Sequence, residues 1–518
     1  MANQGSLSLS KSKLTAYHQC HKRLWLELHR PELRVDSPSS QKAFAIGYSI
    51  GDLAQREHPE GILIGPANPG DPIDWPKVFA DTKSALELTP RRPIFEATCR
   101  HDGVLVRADL LIPDGDGWHM AEVKSSASVK PYHINDVAVQ TWVMREEGVD
   151  IRTVELRHVD NKFVYPGGDR YEGLFYAGDV QDEVEALQSE VPRWVADAKA
   201  VAASNEPMVP MGAQCNKPFA CPFMGYCEGL AGPGPEYPVT ILPGNKGKSL
   251  ARRLAEEGFA DLRHVPAGRI TDGWLSTIHA VTCSGEPHLD AEGARRTLEA
   301  LPYPRFFFDF ETISFAVPIW AGTRPYEKLP FQWSCHVERS PGKFEHAEFL
   351  DLSGNDPLRA CAEGLLSALE TEGPVFAYHA SFERGVLRSL ADHFPDLQQA
   401  LRAAHDRFFD LEDVVRDYYY HPEMRGSCSI KQVLPTVAPD LNYAKLEEVQ
   451  DGTGAQEAYI AAIDPKTAAE RREELRQRLL TYCGLDTWAM VVLAWFLECR
   501  GRPTHNVVSR AGGTRTKS

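Results

Sequence analysis

The sequence predicts an α/β protein: a mixed N-terminal domain over residues 1–230, a helical connector over 231–300, a second α/β domain over 301–500 and a disordered tail over 501–518. Three observations carry that reading. At 518 residues the chain is longer than one hydrophobic core usually supports, which points to two or three domains of roughly 100 to 200 residues each. Two separate stretches pass from strand patterns rich in β-branched and aromatic residues into amphipathic helical ones. Between them, Ala231-Gly232-Pro233-Gly234-Pro235 breaks the composition as a domain boundary does.

The elements follow in order. Ser10-Lys11-Ser12-Lys13-Leu14-Thr15-Ala16-Tyr17 is a cap-rich helix start, and the helix it opens is expected to carry Cys20 before the amphipathic Arg23-Leu24-Trp25-Leu26. Residues 93–96, 103–112 and 118–124 read as strands, the last two forming a hairpin around a five-residue turn at 113–117. A helix is expected around 135–147, and a single amphipathic helix over 180–200 leads into a group of cysteines. The connector alternates short amphipathic helices, such as 250–257 and 291–300. Beyond Pro304, strands are expected at 305–311, 332–338, 344–350 and 374–378, with helices between and after them.

Composition sets the outer bounds. With 43% hydrophobic and 25% charged residues, and no apolar run of the roughly 18 residues that span a bilayer, the chain reads as globular, with no membrane partner. Its first residues lack signal-peptide character, and eleven cysteines without such a signal predict a reducing, cytoplasmic setting. The net charge of -16 does not exclude a nucleic-acid partner, because phosphate is gripped by local grooves and not by whole-chain charge.

The first constellation lies in the hairpin. With the turn centred on Gly115 and Asp116, paired positions sum to about 231, which sets Asp109 across from Glu122. Opposed carboxylates destabilise a sheet unless something offsets them, and a divalent cation does so. Lys124 shares the face of Glu122. Carboxylates to hold Mg2+ or Mn2+, with a lysine to orient water or stabilise developing charge, suit phosphodiester hydrolysis; a solvated surface hairpin is the plainer reading. Cys215, Cys221 and Cys227 repeat at C-x5-C-x5-C, about 200 residues after Cys20. Four thiolates that converge can hold a soft metal centre, and iron-sulphur, structural zinc and four separate buried thiols are all open.

The order Cys20, Asp109, Glu122-x-Lys124, Gln140, three cysteines resembles the RecB-like branch of the PD-(D/E)XK nucleases, in particular the members with a 4Fe-4S cluster, over residues 7 to 230. The resemblance implies a restriction-endonuclease-like domain. In it Asp109 and Glu122 are metal ligands, Lys124 the catalytic lysine, Gln140 a helix residue at the site and Glu96 an extra ligand, with the cluster on Cys20, Cys215, Cys221 and Cys227. One departure stands out: Gly51 occupies the place where many relatives have a metal-binding histidine.

The second constellation begins at Phe306-Phe307-Phe308-Asp309-Phe310-Glu311, a strand that puts Asp309 and Glu311 on one face. Tyr482 and Asp486 lie one helical turn apart, and Glu383 follows a buried strand at the start of a helix. Four acids from three segments suit two-metal phosphoryl chemistry. They resemble the DEDD exonucleases of the RNase H-like fold, the subclass with Tyr in Y-x3-D. That likeness implies Asp309, Glu311, Glu383 and Asp486 as metal ligands and Tyr482 on the nucleophilic water. His379 and Glu383 stand where Asn and Asp are usual. Residues 301 to 497, with Gly426 to Pro435 among them, also look like an uncharacterised domain fused behind RecB-like nucleases in bacteria. Lys431 reads as a surface or capping residue with a phosphate contact as the alternative, and Asp410 and Asp413 as structural acids.

Together these readings predict a metal-dependent nuclease that hydrolyses DNA exonucleolytically at two candidate sites, using Mg2+ or Mn2+ beside a 4Fe-4S cluster, on single strands or duplex ends. Two competing readings are a nucleic-acid-binding scaffold whose first site is inert, and an RNA exonuclease that uses the C-terminal site alone.

Overall fold

Asp114 pairs with Gly117 across the hairpin formed by Val104–Asp114 and Gly117–Lys124, so the turn is two residues long and not five. Gly115 takes φ +57 at its first central position, the positive φ that lets a two-residue hairpin follow the strand twist. Pairs 110–121 through 114–117 all sum to 231, the expected register. The structure, a computed structural model, describes residues 8–510 apart from 67, 69, 442, 444, 445, 447 and 506.

The protein is a mixed α/β chain in two compact units. The first comprises Met1–Pro233 with Phe315–Tyr326, the second Gly234–Ser314 with Glu327–Ser518; the stretch expected as a separate connector is counted with the second unit.

The first unit is built on a seven-stranded sheet in the order Ile62–Leu63, Ile94–His101, Val104–Asp114, Gly117–Lys124, Ile151–Val159, Phe175–Asp179, with Leu9–Ser10 alongside Val104–Asp114. Burial alternates along 104–110, and Val104, Val106 and Ala108 face a core that also takes Val137, Ala138 and Val143 from the helix Pro131–Glu146. Two expectations fail locally. Cys20 does not ride a helix: it sits at the joint between Lys11–Gln19 and His21–His29 with an extended backbone (φ -166°, ψ 124°). The expected single helix at 180–200 is two, Gln181–Leu187 and Val191–Ala203, because Pro192 belongs in a first turn, where its missing N–H costs nothing, and not in a helix interior.

The second unit carries a six-stranded sheet ordered Phe408–Asp410, Val375–Ala377, Arg305–Ile313, Leu329–Ser340, Lys343–Leu350, Val507–Ser509. Arg305–Ile313 is central, antiparallel to Leu329–Ser340 and parallel to Val375–Ala377. The helix Ala469–Leu497 packs on these strands. An 18-residue window in it is apolar enough to cross a membrane, but 67% of that window is buried inside the protein. Val507–Ser509 lies in the stretch expected to be disordered: it adds a parallel strand to Lys343–Leu350 and so satisfies an otherwise open edge. The rest of the expected tail, 511–518, lies outside the described residues.

Candidate metal centre

In the first unit the sheet register brings Asp109 and Glu122 to facing positions, and Glu96 lies between the pairs Phe95–Leu110 and Ala97–Ala108. Glu122 is 2% exposed, and both its oxygens have partners within the protein. Its Oε1 meets Lys11 Nζ at 2.5 Å and Lys124 Nζ at 2.8 Å, and its Oε2 accepts from Gln140 Nε2 at 2.6 Å. Lys124 also meets Asp136 Oδ2 at 2.9 Å, and Thr15 donates to Asp136 Oδ1 at 2.8 Å. Asp109 Oδ2 accepts from the Val123 backbone at 2.7 Å, and burial, with the charge of Glu122, pushes its carboxyl up to about 8. Glu96 meets Arg107 at 3.1 Å, and burial raises its carboxyl too. All five predicted residues therefore gather, but the site balances its own charge. Lys11, which brings the second ammonium, was read only as part of a helix start. Among the described residues, a Cβ added at Gly51 would meet no atom within 4 Å.

The four cysteines Cys20, Cys215, Cys221 and Cys227 line one small cavity together with Lys22 and Arg23. All are unpaired thiols, and burial raises those of Cys221 and Cys227. Gln19, next to Cys20, donates to the carbonyls of Gln214 and Phe219 at 2.7 Å each, which ties the joint between the first two helices to the cysteine loop.

The second unit is different. Asp309 and Glu311 share a face of the central strand, and the helix Ala469–Leu497 brings up Asp486 with Tyr482 one turn before it. One oxygen from each of Asp309, Glu311 and Asp486 lies within 4.8 Å of the others, the single such group of acids, histidines or cysteines among the described residues. At an effective dielectric of about 20, each pair of full charges at 4.8 Å repels by about 3.5 kcal/mol. Three pairs approach the roughly 5–15 kcal/mol that holds a domain folded, so the group must keep protons or bind a cation. Burial first, and then the charge of Asp486, hold the carboxyls of Asp309 and Glu311 well above the usual range. Burial lifts Asp486 to about 6, although Tyr443 donates to its Oδ1 at 2.6 Å.

Glu383, in the first turn of Ser381–His393, is 2% exposed, and its Oε2 has no hydrogen-bond partner. Its charge raises Asp309 and Glu311 in turn, and burial pushes its own carboxyl to about 8. A buried carboxylate oxygen without a donor is costly unless something absent from the protein binds it. The donor set is all hard oxygen, which suits Mg2+ or Mn2+ and not a soft ion.

Asp309, Glu311, Tyr482 and Asp486 line a cavity of about 560 Å³ shared with Lys328 and Lys431. Lys431 donates to the Gln450 carbonyl at 2.7 Å and to the Tyr482 hydroxyl at 3.4 Å, with its ammonium over the rings of Tyr443 and Tyr482. It is therefore a cavity residue and not a surface one. Asp410 caps the helix Leu411–Tyr418, in keeping with its structural reading. Tyr443, Lys328 and the cavity position of Lys431 were not anticipated. Tyr443 lies 43 positions before Asp486, and no sequence period joins the two.

Residues 306–429 match a family model described as a domain of unknown function, DUF2779. That range includes Asp309, Glu311 and Glu383 but stops before Tyr482 and Asp486. Among curated proteins the chain is similar to the uncharacterized protein MG366 homolog of Mycoplasma pneumoniae, 27% identical over 223 residues, 39% of this chain and 33% of the relative. It is also similar to the uncharacterized protein MG366 of Mycoplasma genitalium, 23% identical over 224 residues with the same two coverages, 39% and 33%. The matched part thus spans about a third of the length of these curated relatives.

Proposed function

We propose that this protein is a metal-dependent nuclease whose working centre is Asp309, Glu311, Glu383 and Asp486 with Tyr482. The observation that carries the reading is the group of three carboxylate oxygens within 4.8 Å of one another; Glu383, outside that group, is a buried acid whose Oε2 lacks a donor and whose charge acts on Asp309 and Glu311. Divalent cations bound there would neutralise the carboxylates, polarise a phosphodiester and acidify a water molecule. Tyr482, next to Asp486 on the helix, orients the attacking water through its hydroxyl, and Lys431 fixes that hydroxyl from the other side. Tyr443 holds Asp486 in one rotamer. Lys328, whose ammonium lies 4.3 Å from the centre of the Phe382 ring, takes a substrate phosphate.

The sheet order supports an RNase H-like second domain: two strands parallel to Arg305–Ile313 on one side, and on the other an antiparallel ladder of Leu329–Ser340 and then Lys343–Leu350. In the first unit three antiparallel strands, the helix Pro131–Glu146 and the parallel strand Ile151–Val159 support a restriction-endonuclease-like, RecB-like domain. We read its four cysteines as the ligands of a 4Fe-4S cluster. Cys20, Cys215, Cys221 and Cys227 line one cavity, the observation that supports a shared centre. Lys22 and Arg23 would offset its negative charge. Eleven unpaired thiols support a reducing, cytoplasmic setting.

One observation favours a binding role for the first unit: two lysines, Lys11 and Lys124, converge on the Glu122 oxygen that a cation would use. On this reading the first unit grips nucleic acid and the second cuts it. The test is cleavage of end-labelled single-stranded DNA, duplex DNA and RNA with Mg2+, Mn2+ or EDTA. Metal-dependent shortening of DNA is expected; shortening of RNA alone would change the substrate, and none with any metal would leave the scaffold reading.

A further inference from the structure

His379 and Glu412 line the same cavity as the acidic group and have no part in the reading above. His379 Nδ1 lies 3.1 Å from Glu412 Oε2. The histidine takes φ +69, a left-handed conformation that a non-glycine residue keeps only when its surroundings enforce it. Asp410 enforces it. Its Oδ1 accepts the backbone N–H of His379 at 3.0 Å and its Oδ2 that of Ala380 at 2.9 Å, while Oδ1 also accepts the N–H of Glu412 at 3.0 Å. One carboxylate thus locks both the turn that carries the imidazole and the helix start that carries its partner. The His379 side chain is nevertheless 69% exposed, and an exposed His–Glu pair adds little stability. Stability does not account for a strained turn held at this mouth; presenting an imidazole to a ligand does.

We propose that His379 is a further catalytic residue of this centre, the proton donor to the departing oxygen of the phosphodiester, and that Glu412 is the positioning residue that orients it. The inference rests on the hydrolytic reading of the acidic group. As water adds to phosphorus, the new P–O bond forms and the proton of the water passes to solvent. The bond from phosphorus to the departing sugar oxygen breaks, the electron pair stays on that oxygen, and the oxygen takes the Nε2 proton of the imidazolium. His379 is left neutral with its Nδ1–H on Glu412, and solvent returns the proton to Nε2. A carboxylate on Nδ1 keeps hydrogen there and leaves Nε2 to face the substrate.

The test compares one oligonucleotide of the kind the protein cleaves with the same oligonucleotide carrying sulphur in place of the departing bridging oxygen, made in both the 3'-bridging and 5'-bridging forms. A thiolate leaves without being protonated. Full-length His379→Asn is used because asparagine tolerates the left-handed turn. Loss of the donor is expected to slow kcat on the oxygen substrate about 100-fold or more, within the range general acids contribute, and on the matching sulphur substrate less than about threefold. Glu412→Gln shows the same selectivity at smaller size. Equal loss on both substrates, or no loss on the oxygen one, overturns the proposal and leaves the centre standing. If the wild type cleaves neither substrate, or Asp309→Asn slows neither, the hydrolytic reading itself falls and the proposal with it.

Discussion

Lys11 Nζ lies 2.5 Å from Glu122 Oε1, on the same oxygen that Lys124 reaches at 2.8 Å. Two ammonium groups on one carboxylate oxygen mean that the first site carries its cations with it. Among the described residues the three acids of the second unit have no such pairing, and Lys431 in their cavity is bonded to a carbonyl and a phenol instead. The two sites therefore differ in their demand for metal, and most of the predictions follow from that difference.

Lys11→Met should make the first unit a better cation site. In a background of Asp309→Asn and Glu311→Gln, Mn2+ affinity measured by electron paramagnetic resonance should tighten about tenfold, the effect of removing one like charge within about 4–6 Å. Unchanged or weaker binding would mean that Lys11 is part of the metal site and not its competitor.

The second unit should be stabilised by metal. At a free Mn2+ concentration of about 100 times Kd, the wild type should gain about 2.7 kcal/mol in thermal or chemical denaturation. Asp309→Asn should lose that gain and raise the metal-free midpoint at pH 8, because it removes one of three repelling carboxylates. A metal-free midpoint that falls would show the acids to be favourable neighbours without a cation.

The strand that carries Asp309 is anchored by Arg305, which meets Glu498 at 2.6 Å with side chains only 3% and 1% exposed. Glu498→Gln leaves a buried guanidinium uncompensated and should cost about 3 kcal/mol or more in urea denaturation. A loss below about 1 kcal/mol would mean that the carbonyls of Leu298 and Leu301 already satisfy Arg305.

Much of this was legible in the sequence because its cause was local. The register that opposes Asp109 and Glu122 follows from turn position alone, and Asp309 with Glu311, or Tyr482 with Asp486, follow from strand and helix periods. What was not legible depends on distant chain. Lys11 reaches Glu122 across 111 positions, and Tyr443 reaches Asp486 across 43. Val507–Ser509 is a strand only because an open sheet edge waits for it. The break at Pro192 could have been read, since proline marks a helix start more often than a helix interior.

The cysteine cavity predicts colour and coupling. Protein purified without oxygen should be brown from thiolate-bound iron and sulphide, and Cys20→Ser should bleach it. Colourless protein with stoichiometric zinc would contradict the cluster. Because Lys11–Gln19 runs from Glu122 at one end to Cys20 and the cysteine loop at the other, the bleached variant should also show faster amide exchange across 11–19. Unchanged exchange would mean that the helix is held by Thr15 and the core alone.

The most direct measurement is the rate at which Asp309→Asn and Lys124→Ala, each in the full-length chain, shorten an end-labelled single-stranded DNA in Mn2+. The account predicts that Asp309→Asn falls by at least about 100-fold, since carboxylates that hold the cations act in the reacting step itself, and that Lys124→Ala stays within about threefold of the wild type. A rate that collapses with Lys124→Ala and survives Asp309→Asn would contradict it and move the catalytic centre to the first unit.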